Sequence, residues 1–169
     1  MAETKLHNYT VQEKLNKMDV DVITVTPDIE TSTIDANDVF FNPVEIPNAV
    51  AVNDGTSILQ SICLIDQTDT STDAGVQIDL VFTQDSTNLG TLDAAVSCAD
   101  SVLDGILGIV SITNYVDMIN GQVATKNNIG LILKGASSSR SVYVGGVIRE
   151  AGTARGVNDI DIRLGIVKD

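Results

Sequence analysis

A chain of 169 residues is long enough for one domain that buries roughly 70% of the surface its unfolded form exposes, so its stability requires neither a disulfide framework nor a metal. The net charge is −13, from 23 acidic and 10 basic residues, and a free nucleic-acid or anionic-membrane binder should instead be basic. Hydrophobic residues at 43% exclude a disordered chain, while 4% aromatic residues and no tryptophan leave few stacking platforms for sugars or single strands.

Residues 1–17 are polar and mixed in charge, and we read them as an N-terminal arm, either frayed or ordered only against a partner. No basic region followed by an apolar stretch marks a signal peptide, and no run approaches the roughly 20 apolar residues of a membrane span, so synthesis in a cytoplasm is expected. Residues 18–169 are expected to form one β-domain. Val20 to Thr26 is the first strand, with Asp21, Ile23 and Val25 on one face and Val20, Val22, Thr24 and Thr26 on the other. Asp28 to Asp38 reads as an acidic loop. Val39-Phe-Phe-Asn opens the next strand, and Pro43 and Pro47 place Val44-Glu-Ile at a sheet edge or bend.

Ala49 to Val52, a turn at Asn53-Asp-Gly55, and Ser57 to Ile65 read as a hairpin. A polar loop from Asp66 to Gly75 follows. Val76 to Phe82 has the cleanest alternation in the chain, with Val76, Ile78, Leu80 and Phe82 inward and Gln77 and Asp79 outward, until Val81 breaks the pattern. Ala94 to Cys98 is strand-like. Asp100 is placed to cap a short helix running to about Leu107. Ile109 to Ile112 resumes strand. Tyr115 to Ile119 and Gln122 to Thr125 flank Asn120-Gly121, the favoured type I′ hairpin pair. Ile129 to Lys134, the turn Gly135 to Arg140, and Ser141 to Arg149 read as a second hairpin, with Lys134 and Arg149 closing the arms as solvated heads. Ile160, Ile162, Leu164 and Ile166 share one face of a last strand, and Asp161 and Arg163 the other. Roughly ten short strands without a strand–helix–strand rhythm give an all-β fold: an antiparallel β-sandwich, jelly-roll-like, with one short helix.

No catalytic, cofactor-binding or metal site is predicted, and an enzyme is the least favoured class. His7 is the only histidine and lies in the polar arm, far from any nucleophile a Ser–His–Asp or Cys–His device would need. Asp19/Asp21 and Asp159/Asp161 have the spacing that puts two carboxylates on one strand face, expected here to be the solvated face. Asp66, Asp69 and Asp73, or Asp85 with Asn88, offer hard oxygen ligands for calcium, without EF-hand spacing. Cys63 and Cys98 lack C-x-x-C spacing, and Cys63 reads as a small core residue. Gly145-Gly146 is a bulge or close-packing point rather than a phosphate cradle. Asn8-Tyr-Thr10 fits the glycosylation pattern without a secretory context.

The run Val44 to Val52, then Ile58 to Ile62, Val76 to Gln84 with Asn88-Leu-Gly, Gly130 to Ser137, Val142 to Val147 and Ile162 to Ile166 resembles small virion proteins of tailed bacteriophages. These look like head decoration, or cement, proteins, and the likeness spans about residues 44–167. The resemblance implies a non-enzymatic structural protein on the virion capsid surface. It would stabilise the shell by clamping neighbouring capsomers. Its partners would be the major capsid protein and further copies of itself, a homo-oligomer in which a trimer is favoured. No cofactor, nucleic acid or membrane is implied. Two alternatives stay open: a tail, fibre or receptor-binding virion module, and a calcium-dependent carbohydrate-binding or adhesion domain.

Overall fold

The computed structural model describes residues 19–68, 76–152 and 154–168. The expected arm, residues 1–17, lies outside them. Nine strands form two sheets among the described residues. The first sheet runs β1 (Asp19–Val25), β9 (Ile160–Lys168), β3 (Thr56–Asp66), β7 (Gln122–Lys134) and β6 (Tyr115–Asp117) from edge to edge. The second runs β2 (Val39–Ile46), β8 (Val142–Ile148), β4 (Ile78–Thr83) and β5 (Ile106–Ile112). Every pair of neighbouring strands is antiparallel.

Six of the eight strand-to-strand connections leave one sheet for the other; only β4–β5 and β6–β7 join hydrogen-bonded neighbours. This order is that of a double-sheet jelly roll with β6 added at one edge. The expected antiparallel sandwich with a jelly-roll path is therefore what the chain forms.

The core follows from period-two alternation. Ile160, Ile162, Leu164 and Ile166 of β9 are all fully buried, opposite Leu59, Ile62 and Leu64 on β3 and facing Phe40, Ile78, Leu80, Phe82, Val142 and Val144 of the second sheet. β4 departs from simple alternation because all six of its residues are buried. The long connection between β4 and β5 folds back over the outer face of the second sheet. There Val39, Val81, Leu89, Val102 and Val147 form a smaller second core. The Asn42 side chain anchors this cover, donating to the Gly90 carbonyl at 3.1 Å and accepting from the Leu89 amide at 3.0 Å.

Several local expectations are corrected. Ile129–Lys134 and Val142–Ile148 are not a hairpin: β7 and β8 lie in opposite sheets. The turn between them spends its backbone groups on the 50–55 segment instead. Val50 N donates to Arg140 O at 3.0 Å, Asp54 N to Ala136 O at 3.0 Å and Gly135 N to Gly55 O at 3.1 Å. The same docking explains why Ala49–Val52 is not a strand, although Ala49 and Val50 are buried. Ala94–Cys98 is part of the cover rather than a strand, with an isolated bridge from Ala95 to Asp38. The helix, α1, is a single turn over Asp100–Leu103 with Ala99 at the cap, so Ile106 and Leu107 belong to β5.

The β6–β7 hairpin forms as expected, but its tip is shifted. Ile119, not Asn120, takes positive φ (76°), and the Asp117 carboxylate accepts the Ile119 amide at 2.7 Å. Arg149 is not a free solvated head: it is held by Asp79 and Asn37. Cys63 is half-buried on the outer face of β3 rather than in the core, between Thr125 and Arg163 on the flanking strands.

The Gly145-Gly146 pair in β8 is a close-packing point. A Cβ on Gly145 would lie 2.7 Å from a Leu89 methyl, and one on Gly146 would overlap the Phe41 ring. Gly146→Val is expected to destabilise the fold by about 1–3 kcal/mol or more, through overpacking against a fully buried ring. Urea denaturation checks this; a loss of under about 0.5 kcal/mol would mean that Phe41 gives way freely.

Candidate interaction surface

The expected site residues do not converge. His7, Asn8–Thr10, Asp69 and Asp73 lie outside the described residues. Among the described residues no three His, Cys, Asp or Glu side chains gather as metal ligands would. Asp85 and Asn88 are exposed on the β4–β5 connection. The residues read as a calcium candidate are divided further by Asp66, whose carboxylate is buried at the end of β3 and accepts from Arg155 Nε at 3.0 Å.

That ion pair is the most enclosed one among the described residues, with side-chain exposures of 3% for Arg155 and 6% for Asp66. The guanidinium carbon of Arg155 also lies 5.5 Å from the centre of the Phe40 ring, within cation–π range. Asp66 Oδ1 accepts the Thr68 amide at 3.0 Å. The β8–β9 loop that carries Arg155 is pinned to the same end of the sandwich by Asp159, which accepts from the Gly156 amide and the Thr68 hydroxyl, and whose own carbonyl accepts from the Gln67 amide at 2.7 Å. Asp161 accepts from Thr26 and Gln67. The Asp159/Asp161 pair is therefore a loop fastener. Asp21 of the other expected pair binds Lys168 Nζ at 2.8 Å, and this hydrogen bond with the adjacent charge holds its carboxyl below the usual range.

Tyr115 projects toward this end of the core, and its hydroxyl has no hydrogen-bond partner among the described residues. Burial pushes its ionisation far up, the Asp66 carboxylate adds to this, and Arg155 opposes it. A cleft of about 130 Å³ between β5 and β7 is lined by Ser111, Ile112, Thr113, Asn114, Ala124, Thr125 and Lys126. It is smaller than the roughly 300 Å³ at which small-molecule pockets begin.

The two outer faces differ. The second sheet is covered by the β4–β5 connection. The outer face of the first sheet carries no such cover among the described residues, and its registered rows are partly apolar. One row crosses four strands: Val20 pairs with Val167, Val167 with Ile58, and Ile58 with Ile132. Val20 is 68% exposed, Ile58 44% and Ile132 62%. Val22 lies next to this row on β1 and is also largely exposed. A polar row of Thr24, Arg163, Cys63 and Thr125 separates it from a second apolar row of Ile65, Val123 and Val116. The sequence signal for this surface was the apolar character of both faces of β1 and β7, which shows that a strand is two-sided but not which side stays bare.

No family model matches the chain, and no curated protein does. A solved chain of Desmodium yellow mottle tymovirus is similar in structure over 90% of this chain and 81% of its own length, at 14% identity and a TM-score of 0.27. An overlap that shallow carries no weight on function, and the jelly-roll order stands on the strand pairing itself. No helix among the described residues is long and apolar enough to cross a membrane.

Three stability outcomes follow from these contacts. Asp66→Ala leaves the Arg155 cation buried and is expected to cost about 3–5 kcal/mol, whereas Asp54→Ala, which breaks the exposed Lys134 pair, should cost under about 1 kcal/mol. Tyr115→Phe removes an unpartnered buried hydroxyl and should leave stability unchanged or raised by up to about 1 kcal/mol. Urea midpoints read both.

The third concerns pH. Burial raises the Asp79 carboxyl, but the Ser111 hydroxyl and the Arg149 guanidinium outweigh it and hold the group below its ordinary value. A carboxyl lower in the folded than in the unfolded state stabilises above the unfolded value, about pH 4, and that stability is lost as pH falls through the folded value. The urea midpoint of Arg149→Met should therefore fall less steeply below about pH 4 than that of the wild type. Equal slopes would remove Asp79 from the account.

Proposed function

We propose that this protein is a virion structural component that sits on the outer surface of a tailed-phage capsid and stabilises it by clamping neighbouring capsomers. The observation that carries the reading is the partly apolar outer face of the five-stranded sheet, uncovered among the described residues, on an otherwise strongly acidic jelly roll. A continuous apolar row on a sheet face is the anatomy of a protein-binding patch rather than of a catalytic cleft. The sequence resemblance to head decoration proteins supplies the kind of partner, the major capsid protein. Many copies bound at equivalent positions make avidity do what one small interface does not. The rigid end closure through Asp66 and Arg155 suits a part whose value lies in keeping its shape under load.

The test is reconstitution. Purified protein added to capsids lacking it should bind saturably and raise the temperature at which the capsids open. Ile132→Lys, placed on the exposed row, should weaken that binding by about tenfold or more while leaving the protein's own melting temperature within a few degrees. Wild-type protein that fails to bind, with immunogold label on tails of intact particles, would favour a tail or fibre module instead. A calcium titration separates the adhesion reading: the melting temperature should stay constant, since a specific ion would stabilise the native state.

A further inference from the structure

Four strands bound the two sheets, and three of these edges are blunted. β2 carries Pro43 and two register shifts. β6 spans three residues. On β5 the Lys126 ammonium sits on the Ser111 carbonyl at 3.0 Å, a charge placed where another strand would have to pair. These are familiar ways of keeping an edge from recruiting a foreign strand. β1 has none of them. Its seven residues contain no proline or glycine, it pairs with β9 without a register shift, and no other described strand lies on its free side.

The charges beside β1 are also placed differently. Asp21, one of the two acids of the strand, is already taken by Lys168 from the neighbouring strand, with Nζ at 2.8 Å from its carboxylate. Asp19 stands at the first position. Between and beyond them Val20 and Val22 are 68% and 66% exposed.

We propose that β1 is a self-association edge, on which β1 of a second copy pairs antiparallel about a two-fold axis at Val22, joining two five-stranded sheets into one of ten. In this register Asp19 faces Val25 of the other copy, Val20 faces Thr24, Asp21 faces Ile23, and Val22 faces Val22. All seven residues are paired and no carboxylate opposes another. Moving the axis to Asp21 sets that acid against itself, and moving it to Ile23 leaves Asp19 and Val20 without partners inside the strand. A parallel in-register pairing would set both acids against their equivalents, which is unfavourable for directly opposed like charges. The two-fold arrangement is isologous and closed, so it ends at a dimer rather than a fibre. Each copy carries −13, so long-range repulsion opposes the contact and added salt strengthens it.

This inference is independent of the virion reading, because its readout is the state of the full chain in buffer. Sedimentation velocity should show a monomer–dimer equilibrium that tightens as salt is raised. Val22→Lys puts two ammonium groups face to face at the axis on a position already exposed, and should weaken dimerisation by about tenfold or more without changing the monomer's circular dichroism. Directly opposed residues have Cα atoms about 4.5–5.5 Å apart, within reach of a disulfide. Val22→Cys should therefore cross-link on mild oxidation, with the bond located by peptide mass mapping because Cys63 and Cys98 are also free thiols. Val20→Cys should not, since the two copies of position 20 lie about 14 Å apart along the strands. A chain that stays monomeric at every attainable concentration and salt overturns the proposal. So does a monomer whose β1 amides are all protected from hydrogen exchange, because its outer edge would then already be paired. An oligomer that forms normally with Val22→Lys, and that Val22→Cys does not cross-link, overturns it too.

Discussion

The strand that closes the molecule is also the one that ties it together. β9 lies between β1 and β3, so the last strand in chain order is hydrogen-bonded to the first, with Asp19 opposite Lys168. Its four inner side chains, Ile160, Ile162, Leu164 and Ile166, are fully buried, at roughly 1.5–3 kcal/mol of transfer free energy each. The contacts this row makes span most of the chain, so the entropy of closing a very long loop is met before most of the apolar burial is gained. A sandwich built this way has high contact order and folds slowly for its size. Its end is then locked by the Asp66–Arg155 pair, which adds geometry more than energy: a buried pair costs desolvation of both charges, and its value lies in there being one arrangement that satisfies them.

What the sequence disclosed follows from which side-chain relations are local. Alternation is local, so the inner rows of β4 and β9 were legible, as were the edge position of β2 from Pro43 and the tight packing at Gly145-Gly146. Sheet membership is not local. Ile129–Lys134 and Val142–Ile148 flank a short turn and have every mark of a hairpin, yet the turn's hydrogen bonds go to residues 50–55, and the arms part into different sheets. Val81 broke the outward polarity of its strand, and that break was the trace of the second core formed with Val39, Leu89, Val102 and Val147. The trace shows that something covers the outer face, but the cover is a connection rich in small and polar residues that has no period of its own. The same holds for the candidate surface. An apolar Val20 or Ile132 reads alike whether a loop covers it or nothing does.

The two faces of the sandwich therefore have separate histories of burial. One sheet is covered on the outside by its own chain and reads as interior throughout β4. The other keeps an apolar row open across four strands among the described residues. Isolated exposed hydrophobic side chains need no explanation on a protein surface, but Val20, Ile58 and Ile132, joined in one register row by the half-buried Val167, form a contiguous patch, and contiguity is what marks a contact surface. Arg163, exposed two rows away beyond Val22, Gly165 and Ser61, puts a cation on the same face of a molecule of opposite net charge. A partner here would meet a face less acidic than the average of the protein.

Much of the acidity has a structural use that solubility alone does not explain. Glu30 accepts the amides of Thr31 and Ser32, and these hydrogen bonds hold its carboxyl low. Asp117 takes the amide of Ile119 and so supports a β-branched residue at positive φ, a backbone state that is rare without such help. Asp66 and Asp159 do the same for loop amides at the closed end. Short carboxylates satisfy donors that loops would otherwise leave bare, which is the chemistry of Asx turns. A jelly roll crosses between sheets at almost every connection, so it has many such loops, and a chain that fastens them with aspartate acquires negative charge as a consequence. The carboxylates that do this, on Glu30, Asp66, Asp117 and Asp159, sit in loops or at strand ends and outside the row of Val20, Val167, Ile58 and Ile132.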